Sequence, residues 1–161
     1  SRVASSMSWF KPLLLCLALA ACGFTPVYGP EGTGTALQNR VIVDPPVDRE
    51  GFLLVRQLED RLGRTGDAAY RLSVNLTVAQ ENRAIDPDGD IRRFHLIGTA
   101  TYELRDAETG TVVRADAVDD FVGYSATGTT VATLAARRNA QERLMTILAD
   151  QIVLQLQATQ L

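Results

Sequence analysis

From Tyr70 to Val78 apolar and polar residues alternate strictly, with Tyr70, Leu72, Val74, Leu76 and Val78 separated by Arg71, Ser73, Asn75 and Thr77. A period of two sends alternate side chains to opposite faces, so the segment predicts a long strand with one wet face. Two more strands are expected, from about Phe94 to Arg105 and from about Thr111 to Tyr124. Asp86-Pro-Asp-Gly-Asp90 makes the turn before the first of them, and Asp106-Ala-Glu-Thr-Gly110 the turn before the second. Alternation weakens around Asp119 and Asp120, which predicts a bulge there. Upstream, Arg40-Val-Ile-Val-Asp44 is a β-branched run stopped by Pro45-Pro46 and suits a short first strand.

Two stretches carry the helical period instead. Asp48 is a helix cap, with Glu50 in the first turn; Leu54, Val55, Leu58 and Leu62 form one apolar stripe, and Gly63 ends it. The opposite face, with Arg56, Gln57, Glu59, Asp60 and Arg61, is an ordinary solvated one. A second, longer helix runs from about Thr130 to Gln157, with Leu134, Met145, Leu148, Ile152 and Leu156 on one side. Arg138, Gln141 and Glu142 interrupt that stripe. The back half is therefore expected to pack on the sheet, and the front half to lie partly exposed or meet a partner. The order β-α-β-β-β-α predicts an α+β fold, a four-stranded sheet with two helices packed on one face. The length of 161 residues suits one such domain, placed at residues 40–161.

The N-terminal stretch follows neither period. Lys11 precedes Pro12-Leu-Leu-Leu-Cys-Leu-Ala-Leu-Ala-Ala21, a short apolar run behind a suspected start at Met7. Its length falls in the range of about 7 to 15 residues for the core of an export signal. It is well short of the roughly 20 residues that span a bilayer. The run closes on Leu19-Ala20-Ala21-Cys22, which resembles the lipobox of bacterial lipoproteins. Residues 1–21 thus read as a lipoprotein signal peptide and Cys22 as the lipidated first residue. A plain secretory signal with a chance cysteine is the simpler alternative. Residues 22–39, with three Gly and two Pro between Phe24 and Asn39, read as a tether. Gly23, where enteric bacteria read aspartate as an inner-membrane retention signal, points to the outer membrane.

Charge and cysteine usage narrow the function. Removing Arg2 and Lys11 with the leader leaves 14 arginines against 19 carboxylates, a net of −5, with no overall pull toward nucleic acid. Cys16 lies in the leader, so one cysteine remains and no internal disulfide is expected. No HExxH, paired CxxC, GxSxG or P-loop motif is present, and nothing calls for a cofactor. Asp86, Asp88 and Asp90 resemble half of a calcium loop without its bidentate glutamate, which leaves a turn. Asp116, Asp119 and Asp120 could suggest acid–base carboxylates, but with no matching second cluster a solvated strand edge accounts for them better. His95, the only histidine, falls on the wet face of a strand. Arg92 and Arg93, with Arg83 across the same turn, gather near one end of the sheet if their strands pair. Guanidinium groups bind phosphates bidentately, so this end could meet an anionic head group. Neutralisation of Asp86, Asp88 and Asp90 is the plainer account.

Cys22-Gly-Phe-Thr-Pro-Val-Tyr-Gly29 resembles the start of lipopolysaccharide-assembly lipoproteins of the alphaproteobacterial, LptE-like type. The element layout agrees over nearly all of residues 22–161. The resemblance implies a non-enzymatic lipoprotein, anchored in the outer membrane by its lipid and facing the periplasm. It would plug and help assemble a large β-barrel, the lipopolysaccharide translocon, and assist lipopolysaccharide delivery to the cell surface. It also implies that basic residues at one end of the sheet touch lipopolysaccharide phosphates, with Arg92 and Arg93, then Arg83, the nearest by position. An auxiliary lipoprotein of an envelope lipid-transport ABC system and an envelope hydrolase stay as alternatives.

Overall fold

The computed structural model describes residues 37–85, 91–126 and 128–159. The leader, Cys22, the tether up to Ala36 and the Asp86–Asp90 turn lie outside them. The element order is β1 (Val41–Val43), α1 (Arg49–Leu62), β2 (Tyr70–Ile85), β3 (Ile91–Asp106), β4 (Val112–Ser125) and α2 (Thr130–Gln157). This is the expected β-α-β-β-β-α order. The sheet is mixed, in the order β1-β2-β3-β4, with β1 parallel to β2 and the other pairs antiparallel.

Local chemistry sets the first unit. Pro45 and Pro46 end β1, and Asp48 caps α1 with its Oδ1 accepting the Gly51 N–H at 2.6 Å. Leu54, Leu58 and Leu62 are buried. Gly63 closes the helix at φ +81°, its N–H donating to the Glu59 carbonyl at 2.9 Å. A Cβ there would lie 2.1 Å from Asn39 Oδ1 as well as in a strained backbone region. Gly63→Ala is therefore expected to destabilise the domain by more than about 1 kcal/mol, as a shift in the urea midpoint.

One core fills the space between sheet and helices. Leu72, Leu96, Ala100, Tyr102, Leu104 and Val118 from the sheet meet Leu54, Leu58, Leu144, Leu148, Ile152 and Leu156 from the helices. Leu37, the first described residue, joins them. The back half of α2 is buried on the sheet, whereas Val131 and Leu134 in its front half are exposed, the division expected. Gln141, expected to interrupt the stripe, is instead buried, and its Nε2 donates to Glu50 Oε1 of α1 at 2.8 Å.

The strands depart from expectation in two places. β2 runs on to Ile85 although its alternation ends at Val78, because pairing with β3 continues through Gln80↔Leu96 and Asn82↔Phe94. No bulge lies at Asp119 and Asp120, which stay in register with Thr99 and Gly98. The irregularity falls between Leu104 and Arg105, next to the Asp106–Gly110 turn. The weak alternation has another cause: β4 is an edge strand with polar groups on both faces, Asp119 outside and Asp120 toward α2.

Candidate functional site

The β2–β3 hairpin carries Arg83 and Arg93 to one end of the sheet. Ala84 pairs with Arg93, and Arg93 with Ser125 at the end of β4, so the strands do pair around the turn as the arginine reading required. Arg93 shares the helix-free face with His95 by alternation, and is exposed. Arg83 Nη2 lies 3.1 Å from Glu81 Oε2, both side chains about half exposed. Such a pair contributes at most about 1 kcal/mol, so Arg83 can exchange Glu81 for a stronger anion. Among the described residues no carboxylate is ion-paired with Arg93. The backbone of Arg92 belongs to β3, but its side chain lies outside the described residues, as do Asp86, Asp88 and Asp90.

The helix adds cations that the strand-centred reading missed. Thr129 caps α2, its Oγ1 accepting the Ala132 N–H at 3.2 Å, and the helix then runs back along β4. Arg143 Nη2 donates to the Gly123 carbonyl at 3.2 Å, and Gln151 Nε2 to Asp120 Oδ2 at 2.8 Å. The Tyr124 hydroxyl is pushed above its usual range by burial, with the charge of Arg137 pulling the other way. That hydroxyl donates to Gln80 Oε1 at 2.9 Å, and the ring stacks on Phe94 at 5.2 Å. Arg83 and Arg93 of the hairpin thus lie toward the same end of the sheet as Arg137 and Arg143 of α2, with Arg93 on the helix-free face and the other pair on the helix. The signal was present: Ala126 to Gln141 holds Arg137 and Arg138 and no carboxylate.

Other candidates resolve differently. His95 stacks on Phe121 at 4.8 Å on the helix-free face, the wet face expected. Asp119 sits on that face, whereas Asp116 and Asp120 turn to the helix side, where each makes hydrogen bonds. Among the described residues no group of three His, Cys, Asp or Glu could hold a metal ion. A cleft of about 210 Å³ between α1, α2 and β2 is lined by Asp48, Glu50, Gln80, Leu96, Arg137 and Gln141. Its carboxylates are engaged, Asp48 as a helix cap and Glu50 by Gln141. No described helix is long and apolar enough to cross a membrane.

A four-stranded mixed sheet with two helices on one face defines a class of two-layer α+β domains. A candidate lipoprotein from Caulobacter crescentus has this fold at 28% identity and a TM-score of 0.64, over 78% of this chain and 93% of that one. The rare lipoprotein B of Shewanella oneidensis matches at 17% identity and a TM-score of 0.55, over 75% and 93% of the two chains. A minor lipoprotein of Acinetobacter baumannii matches at 18% and 0.53, over 76% and 91%. The last two likenesses are of fold alone. Among curated proteins none matches this chain. Residues 38–156 match the LptE family, described as lipopolysaccharide-assembly, and the chain belongs to that family.

Proposed function

We propose that this protein is a non-enzymatic outer-membrane lipoprotein, exported by residues 1–21 and lipidated at Cys22. It plugs and helps assemble the β-barrel that translocates lipopolysaccharide, and assists lipopolysaccharide delivery to the cell surface. The observation that carries the reading is the family match, which runs from before β1 into the last turn of α2 and so takes in every strand and both helices. The helix-free face of the sheet supports it. Asn75, Thr77, Thr99 and Thr101 are exposed there, a small polar surface compatible with the polar interior of a barrel. Mild-detergent purification of the tagged protein from its own membranes, with mass spectrometry, tests the assembly role. A stoichiometric large β-barrel is the expected companion. An inner-membrane ATPase complex in its place would overturn the reading in favour of a transport auxiliary.

The hairpin arginines are the proposed contacts for lipopolysaccharide phosphates, with Arg92 and Arg93 first and Arg83 beside them. A charge-assisted hydrogen bond contributes about 1.5–3 kcal/mol. Arg92→Glu with Arg93→Glu is therefore expected to weaken binding of purified lipopolysaccharide by at least about tenfold. The circular dichroism spectrum should not change, since Arg93 is exposed. Wild-type binding in a folded double variant would make these residues ordinary surface.

A further inference from the structure

An open sheet edge presents unpaired N–H and C=O groups that template another strand. Register decides which groups of β4 face outward. Tyr70 N–H donates to the Arg40 carbonyl and Asp44 N–H to the Leu72 carbonyl, so the even residues of β2 face β1. Its odd residues face odd residues of β3, as in Ser73↔Glu103, and the even residues of β3 face even residues of β4, as in Tyr102↔Asp116 and Gly98↔Asp120. The odd residues of β4, Ala115 to Gly123, therefore point their backbone groups out of the sheet.

Three of those groups are already occupied by side chains. The Ala117 N–H donates to Asp116 Oδ1 at 2.9 Å, and the Phe121 N–H to Asp120 Oδ1 at 2.7 Å. The Gly123 carbonyl accepts from Arg143. Each carboxylate is anchored through its other oxygen, Asp116 Oδ2 by Arg114 Nη2 at 2.5 Å and Asp120 Oδ2 by Gln151 Nε2 at 2.8 Å. The bond from Ala117 is the largest influence holding the Asp116 carboxyl below its usual range, with Arg114 adding to it.

We propose that Asp116 and Asp120, with Arg143, close the β4 edge against addition of β4 from a second copy of this chain. The placement of the caps identifies the excluded partner. Ala117 and Phe121 lie symmetrically about Asp119, so a two-fold antiparallel pairing centred there would set Ala117 of one copy against Phe121 of the other. Each capped N–H is one that such a pairing needs. Asp119 would also meet its own copy, charge against charge. The exposed Phe121 ring and Val112 add an apolar incentive to pair, which the caps oppose.

Sedimentation of the purified membrane-extracted protein in density-matched detergent tests this. Wild type is expected to be monomeric, and Asp116→Ala with Asp120→Ala to sediment at twice the protein mass or more. Asp116→Asn with Asp120→Asn keeps an acceptor oxygen while removing the charge, and should stay monomeric. Adding Ala117→Pro to the alanine pair removes an outward N–H without touching the ladder, and should restore the monomer. A folded alanine variant that stays monomeric overturns the proposal, as does association that Ala117→Pro leaves intact. If the alanine variant fails to fold, amide exchange in the wild type decides. The Ala117 and Phe121 amides should exchange several-fold slower than the equally outward Asp119 amide, and equal rates would refute the capping.

Discussion

Replacing Cys22 by alanine is expected to strip the protein of its acyl anchor and loosen its hold on the membrane without disturbing its fold. Two or three acyl chains on Cys22 would hold the protein on a bilayer, since each buried methylene contributes about 0.8 kcal/mol. Among the described residues no helix is long and apolar enough to cross a membrane. Among the described residues the buried cluster runs from Leu37 to Leu156, all of it well past Cys22 in the sequence. The measurement is fractionation of wild type and Cys22→Ala, with intact mass of the wild-type N-terminus. Acyl mass on the wild type, and weaker membrane retention of Cys22→Ala than of wild type, are the expected pair. Membrane retention of the variant, with no acyl mass on the wild type, would end the lipoprotein reading and leave the barrel partner as the only tether.

The legible parts of this fold are those written in local period. The alternation of Tyr70–Val78 and the stripe Leu54, Leu58, Leu62 announce β2 and α1 because each buries one face against one neighbour. What depends on distant pairing was hidden. β2 extends past its alternation because β3 supplies hydrogen bonds that ignore side-chain polarity. Gln141 reads as a break in a stripe, yet it is buried because Glu50, far away in sequence, satisfies it. The candidate site divides the same way. Arg83 and Arg93 were legible as neighbours across a turn, whereas Arg137 and Arg143 join them only because α2 folds back along β4. The β4 aspartates are the extreme case. Their role follows from the direction in which odd-numbered amides point, which the register of three strand pairs determines.

Leu148→Ala is expected to be the most damaging single truncation in the core, and its coupling to Gly98 tests how α2 seats on the sheet. Leu148 is fully buried, and removing its methyl groups should cost about 2–5 kcal/mol. That is a large share of the roughly 5–15 kcal/mol that stabilises a domain. Gly98 lies directly beneath: a Cβ built there would sit 2.9 Å from Leu148 Cδ1 and 3.1 Å from Leu144 Cδ2. The absent side chain at Gly98 is what lets α2 approach β3 this closely. Gly98→Ala alone should therefore destabilise by about 1–3 kcal/mol through overpacking. In the Leu148→Ala background the same methyl enters the vacated space, and only the Leu144 contact still has to give. The double variant should thus be more stable than the sum of the single losses by about 0.5–3 kcal/mol, read from urea midpoints at constant slope. Simple additivity would mean that Leu148 and Gly98 do not share a contact, and that α2 does not seat on β3 through this pair.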